Sequence, residues 1–321
     1  MDLLGLKKNV VARGVSNKHF LFYGEPSTRK TSVAAQFPDS LILATEIGYK
    51  QIPNAVAYDI DSWATFLQVV NELKKPEIKA AYKTIVIDTV DILQDLCVQY
   101  TCNVNGIKSL GDVGFGKAWT EYKTNFNIAI NAIAQNGYSI VFIAHCNATR
   151  AEDGTIKSIA PILDKQPKKT VEALTDFIFY LQKEVVNDRE TVMAYSYLPE
   201  NVMTKSRIRN LAPSFEFTFE NLEKEINKAL DSYSTAYGQD IEISEETRLE
   251  DKAGQKEEIP FETIKNRVIA TATELLDNPV YKDKATQVIV SAMGGVRLSE
   301  APESYRQILI DLEQELKSLA A

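Results

Sequence analysis

The segment His19-Phe-Leu-Phe-Tyr-Gly24-Glu-Pro-Ser-Thr-Arg29-Lys30-Thr31-Ser32 is an apolar run that empties into a polar loop ending in Lys-Thr-Ser. Its spacing is that of the phosphate loop G-x-x-x-x-G-K-[ST]. There, backbone N–H groups wrap the phosphates, the lysine meets the β/γ oxygens and the hydroxyl ligates Mg²⁺. Arg29 replaces the second glycine. A side chain thus stands where the backbone usually needs a permissive residue, so the loop either carries strain or takes a different path.

Strands and helices alternate after the loop. Lys30 to Phe37 opens a helix, and Ser40-Leu-Ile-Leu-Ala44 is a short buried-type strand ending at Thr45-Glu46. Ser62 caps a helix over Trp63 to Leu73, and Lys83-Thr-Ile-Val-Ile-Asp88 is a β-branched strand closed by a carboxylate. A helix covers Val90 to Tyr100. Asn103 to Gly116, with four glycines in 14 residues, reads as a long mobile loop, either a lid or a plain surface connection. Helical spacing returns from Trp119 to Ala134, and Tyr138 to Ala144 forms a strand that delivers His145. This alternation implies an α/β fold with a mainly parallel sheet flanked by helices. Further on, Glu152-Asp-Gly154 reads as a hairpin turn, Ile178–Leu181 and Val192–Tyr197 as strands, and Asn221–Leu230 as a helix.

The core is expected over residues 1–236, followed by an acidic linker at 237–258 and a helical carboxyl-terminal module at 259–321. Helical patterns in that module run over Phe261–Leu276, Lys282–Met293 and Pro302–Leu319, with Gly294-Gly295 punctuating the last two. Of the net charge of −8, residues 241–321 carry −6. The chain is therefore not coated with basic patches, although a local groove or pore loops can still deliver DNA binding. No apolar run approaches the roughly 20 residues of a spanning helix, and Met1-Asp2-Leu3-Leu4 lacks the order of a signal peptide. No membrane association and a cytoplasmic location are expected. Cys97, Cys102 and Cys146 are too few and too irregular for a disulfide framework, and with only His19 and His145 a structural zinc site is not expected.

Nucleotide hydrolysis on such a sheet needs a phosphate cradle, a metal held by hydroxyl and carboxylate, a group that orients water and a γ-phosphate sensor. Gly24, Glu25, Pro26, Ser27, Thr28 and Arg29 supply the cradle, with Lys30, Thr31 and Ser32 opening the helix. Thr31 and Asp88 are the metal pair; the alternative for Asp88 is a cap on the following helix. Thr89 occupies the position after Asp88 where many such enzymes place a catalytic glutamate, and Asp91 lies two residues later. The base is therefore sought at Glu46, whose alternative is a solvated surface carboxylate. His145 suits a γ-phosphate sensor, against the alternative of a packed histidine. Lys205, Arg207 and Arg209 form a cationic strip suited to a neighbouring subunit's nucleotide, to a nucleic-acid backbone, or simply to a solvated strand edge. Cys146 lacks the third group that a cysteine nucleophile needs.

Phe22–Pro38, Leu43-Ala-Thr-Glu46, Thr84–Asp91 and Val141-Phe-Ile-Ala-His145, in that order, resemble the phage RecA-like nucleotide-binding proteins of the Sak4 single-strand-annealing type. The resemblance spans roughly residues 15 to 235 and departs from the family at Ser27 and Arg29. It implies a RecA-like P-loop core, ATP and Mg²⁺ as cofactors, and Lys30, Thr31, Asp88, Glu46 and His145 in the roles given above. It also implies single-stranded DNA as the polymer substrate, a single-stranded-DNA-binding protein as partner, a homo-oligomer (ring or filament) and work in the host cytoplasm. Residues 295–305 are similar to short carboxyl-terminal modules of phage recombination and single-strand-binding proteins.

The leading expectation is a DNA-stimulated, Mg²⁺-dependent ATPase that promotes annealing or strand exchange. A nucleotide-gated adaptor that recruits replication or recombination proteins with little hydrolysis is the alternative favoured by the altered loop. A small-molecule P-loop kinase lacks an evident acceptor pocket.

Overall fold

The computed structural model describes residues 11–150, 152, 156–186, 188–198, 201–237, 243–244, 261–279 and 281–319. In chain order these begin with β1 (Val11–Ala12), β2 (Phe20–Gly24), α1 (Lys30–Ala34), β3 (Ser40–Ala44), β4 (Ala57–Asp59), α2 (Trp63–Glu72), α3 (Pro76–Ala81), β5 (Thr84–Asp88) and α4 (Val90–Asn105). Then come α5 (Lys117–Gln135), β6 (Ser139–Arg150), β7 (Ile156–Pro161), α6 (Lys165–Leu174), β8 (Phe177–Val186), β9 (Arg189–Tyr195), β10 (Lys205–Ser206), β11 (Ser214–Glu216) and α7 (Phe219–Tyr237). β12 (Ile243–Ser244) and the helices α8 (Phe261–Asp277), α9 (Lys282–Met293) and α10 (Arg306–Leu319) complete the set.

The main sheet has the order β11-β9-β8-β2-β6-β5-β3-β4, parallel from β8 to β4, with β9 and β11 adding an antiparallel end. β10 lies along the start of β8, and β7 returns antiparallel along the far half of β6. The fold is α/β with a mostly parallel sheet flanked by helices. Alternation along β2 shows why. Leu21 and Tyr23 face one layer, with Trp63, Phe66, Phe126 and Ile130, whereas Phe20 and Phe22 face the other, with Phe37, Phe177, Leu222 and Ile226. All four β2 side chains are buried, so the uninterrupted apolar run follows from a strand covered on both faces.

Several sequence expectations are adjusted. Asn103–Gly116 is not a loose loop: α4 continues to Asn105, Gly106 ends it in the left-handed region, and two 3₁₀ turns follow. The first of these is closed by a Ser109/Asp112 capping box and buries Leu110. β6 runs well past His145, and α6 is a helix without apolar spacing in its first five residues. Most of the expected turn at 152–154 and of the linker at 237–258 lies outside the described residues; within the latter, Ile243–Ser244 pairs with β1.

The chain divides into two compact units, the larger holding the described residues from 11 to 244 and the smaller those from 261 to 319. In the smaller, α8, α9 and α10 share an apolar core that includes Val268, Ala272, Ala285, Leu309, Leu312 and Leu316. Gly294, at φ +55°, ends α9. The last helix starts at Arg306 rather than Pro302, because Glu303–Tyr305 forms a 3₁₀ turn. Arg267 and Lys317 hold the buried Glu313 carboxylate below its usual range, chiefly through the Arg267 hydrogen bond.

Candidate functional site

A parallel sheet brings the carboxyl ends of its strands to one edge, and that edge collects most of the residues singled out above. Register pairs Gly24 with His145 on one side and with Leu181 on the other, while Asp88 pairs with Ile143 and with Ala44. β6, carrying His145, therefore lies between the phosphate-loop strand and the strand carrying Asp88. The ends of β3 and β5 are clipped together: Thr45 N–H donates to the Asp88 carbonyl at 2.7 Å and Thr89 N–H to Thr45 Oγ1 at 2.8 Å. This clip sets Glu46 just beyond Asp88.

The loop itself is folded around its lysine. Lys30 Nζ donates to the carbonyls of Gly24 (3.0 Å) and Glu25 (2.8 Å) and lies 3.2 Å from Thr28 Oγ1. The Thr28 hydroxyl in turn donates to the Glu25 carbonyl at 2.8 Å. Burial lowers the Lys30 pKa against the pull of the surrounding acidic groups Cys146, Asp88, Asp91 and Glu46. Ser27 and Arg29, the two departures from glycine, both adopt the left-handed region, at φ 61° and 59°. The strained alternative for this loop is the one the structure adopts, and the Arg29 side chain is exposed. Arg29→Gly is expected to stabilise the nucleotide-free chain by up to about 1 kcal/mol, the relieved strain being partly offset by the looser unfolded chain. Urea denaturation would show a higher midpoint at unchanged slope; a lower midpoint would mean that the arginine side chain contributes more than its backbone costs.

Thr31 Oγ1 donates to Asp88 Oδ2 at 2.7 Å. Asp88 is 4% exposed, and burial raises its pKa. A hydroxyl and a buried carboxylate in contact form an all-oxygen donor pair of the kind a hard divalent cation takes. The residues thus fit Mg²⁺, and the loop with Lys30 at its centre fits the phosphates such a cation accompanies. Glu46 Oε2 stands 3.9 Å from His145 Nε2.

Sequence reasoning missed the partner on the other side of that ring. His145 Nδ1 lies 2.8 Å from Asp91 Oδ2, and His145 N–H donates to Asp91 Oδ1 at 3.2 Å. Asp91 sits in the first turn of α4, where the helix dipole favours an acid. The spacing Asp88-Thr-Val-Asp91 was the available signal.

The cationic strip lies elsewhere. Ser206 pairs with Phe177 at the start of β8, whereas Gly24 pairs with Leu181, so the strip sits about 13 Å down the sheet from the phosphate loop. Arg207 donates to the Ala173 carbonyl at 2.8 Å and pairs with Asp176 at 3.1 Å, Lys205 donates to the Glu172 carbonyl, and Arg209 is exposed. None of the three faces its own chain's loop.

Residues 16–208 match the AAA_24 family, described as an AAA domain. The chain belongs to this family. It is therefore a P-loop ATPase by descent, and the match takes in the phosphate loop, Glu46, Asp88, His145, Lys205 and Arg207 but not Arg209 or α8 to α10. Over its whole length the chain is 28% identical to the SPbeta prophage-derived uncharacterized protein YorG of Bacillus subtilis (strain 168), covering 99% of that protein. Among solved structures it is similar to the RadB recombinase (12% identity, TM-score 0.38, 64% of this chain and 88% of that one). It is also similar to the flagellar accessory protein FlaH from Methanocaldococcus jannaschii (9% identity, TM-score 0.34, 63% and 85%). Among the described residues no helix is long and apolar enough to cross a membrane.

Proposed function

We propose that this protein is a Mg²⁺-dependent ATPase that acts on single-stranded DNA in phage recombination, promoting annealing or strand exchange as a homo-oligomer. The observation that carries the hydrolytic part is the convergence of Lys30, Thr31, Asp88, Glu46 and His145 on one sheet edge. In this reading the loop and Lys30 hold the phosphates, and Thr31 and Asp88 hold Mg²⁺, which supplies charge neutralisation at the transferring group. Glu46 polarises the attacking water beside His145.

The DNA part rests on the sequence resemblance, on the prophage-derived full-length relative, and on charge. Lys165, Lys168 and Lys169 crowd the first turns of α6, where the helix dipole already disfavours cations, and an anionic backbone would relieve that repulsion. That face follows the β6–β7 hairpin, whose root is His145, so the nucleotide end of β6 and the basic face belong to one continuous structure. Lys205, Arg207 and Arg209 lie down the sheet from their own phosphate loop, a place that suits a contact to a neighbouring subunit or to DNA. A single-stranded-DNA-binding protein is the expected partner.

Steady-state ATP hydrolysis with and without single-stranded DNA tests the reading, with Lys30→Ala as the control for contaminating activity. Turnover stimulated by DNA and lost in the variant is the expected result. ATP binding without turnover, with or without DNA, would favour the nucleotide-gated adaptor, the reading to which left-handed Ser27 and Arg29 lend weight.

A further inference from the structure

Resting on the hydrolytic reading, we infer that Asp91 is a positioning residue that fixes the proton of His145 on Nδ1. His145 then presents Nε2 as a second acceptor, beside Glu46, for a single water. A carboxylate can only accept, so a hydrogen bond between it and an imidazole nitrogen requires the proton to be on that nitrogen. Asp91 engages His145 with both oxygens, Oδ1 taking the backbone N–H at 3.2 Å and Oδ2 facing Nδ1 at 2.8 Å. Together they fix the ring's tautomer and its orientation.

In the neutral ring the lone pair is then on Nε2, which faces Glu46 Oε2 across 3.9 Å. That distance is too long for a direct hydrogen bond, and a water at ordinary hydrogen-bond distance from both atoms subtends roughly a right angle between them, near the angle between its own two protons. A water donating one proton to each acceptor turns its oxygen lone pairs away from the pair. His145 pairs with Gly24 at the start of the phosphate loop, and Glu46 follows Ala44, the partner of Asp88, so that water lies at the phosphate end of the site.

In the hydrolytic step the water oxygen bonds to the terminal phosphorus. The bond from phosphorus to the bridging oxygen breaks, its electron pair leaving with the diphosphate. One water proton passes to Nε2, where the Asp91 carboxylate balances the imidazolium, and the other stays on the phosphate formed. This refines the sensor role: neutral His145 offers the terminal phosphate an acceptor, not a donor, and so acts on the water between them.

The chain has an internal reference, because His19 is its only other histidine. Its Nδ1 accepts from Ile140 N–H at 3.0 Å, which leaves the neutral ring's proton on Nε2. The two rings are therefore assigned opposite tautomers.

The test is a two-bond ¹H–¹⁵N correlation spectrum of the full chain with labelled histidine, recorded above the histidine pKa. Two patterns are expected, Nδ1–H for His145 and Nε2–H for His19. In Asp91→Asn the amide oxygen keeps the backbone N–H and the amide NH₂ faces Nδ1, so the His145 pattern is expected to switch to Nε2–H while that of His19 stays. The same variant is expected to lose about 10²-fold or more in kcat, with nucleotide affinity held within about twofold. Wild-type His145 in the Nε2–H form, or a pattern unchanged in Asp91→Asn, would overturn the assignment. Parallel loss of affinity and kcat with the His19 signals displaced would show that Asp91 acts on the fold and not on the ring. If the wild-type chain binds nucleotide without turnover, the hydrolytic reading fails, and the spectra alone decide whether Asp91 fixes His145.

Discussion

Gly24→Ala is expected to destabilise the larger unit by on the order of 3 kcal/mol or more and to abolish nucleotide binding. A Cβ at position 24 would stand 2.3 Å from the Leu181 carbonyl oxygen and 3.1 Å from Leu181 C and Cβ. The obstacle is backbone of the adjoining strand, so no side-chain rotation relieves it. Gly24 is also hydrogen-bonded into the sheet on both sides, between β6 and β8, so it cannot retreat without parting one pair. Moving it shifts a carbonyl that holds Lys30 and displaces the first residue of the phosphate loop. Urea denaturation should show a lower midpoint, and calorimetric titration with MgATP no heat of binding. Stability within about 0.5 kcal/mol of wild type, with nucleotide still bound, would mean that β8 can yield where the packing says it cannot.

Much of this site could be read before the fold was known, for a reason peculiar to parallel sheets. Glu46, Asp88 and His145 each follow an apolar run, and residues after such runs meet at one edge whatever the strand order. The order itself was hidden, because nothing local says that β6 sits between β2 and β5. Asp91 was passed over for the same reason: its partner is 54 residues away, and only that strand order brings the two together. The cationic strip was legible as charge but not as position, since β10 pairs with the start of β8 through only two residues. Glycine content misled at 103–116, where Gly106 and Gly116 supply positive φ at helix ends while Ser109, Leu110 and Asp112 fix the chain between them. α6 escaped because Lys165-Gln-Pro-Lys-Lys169 shows no apolar spacing, and the helix is pinned by the buried Pro167 and Val171.

Asp88→Asn is expected to separate stability from function. Burial is the main influence on Asp88 and raises its pKa, as does Glu46 to a smaller extent; the Thr31 hydrogen bond, Lys30 and the neighbouring His145 act in the opposite sense. A pKa raised in the folded state means that the folded chain holds the proton more tightly than the unfolded one. The associated stability is present in full below the unfolded carboxylate pKa and is lost as pH rises through the folded value. At neutral pH the ionised group therefore weighs against folding. Asparagine keeps an acceptor for the Thr31 hydroxyl and removes the charge, so the nucleotide-free variant should melt roughly 2–4 °C higher at neutral pH. The difference should close as pH falls through the carboxylate range, where wild-type Asp88 is itself neutral. Mg²⁺-dependent hydrolysis should fall on the order of 10²–10³-fold, because the amide leaves the cation without its anionic ligand. Melting curves across pH without metal, set beside turnover with MgATP, measure both effects. A variant that melts lower at neutral pH would mean that Lys30 and Thr31 more than offset the burial of the Asp88 charge. A higher melting temperature with lost turnover would identify Asp88 as a charge kept at a cost in the free protein, which the arriving cation recovers.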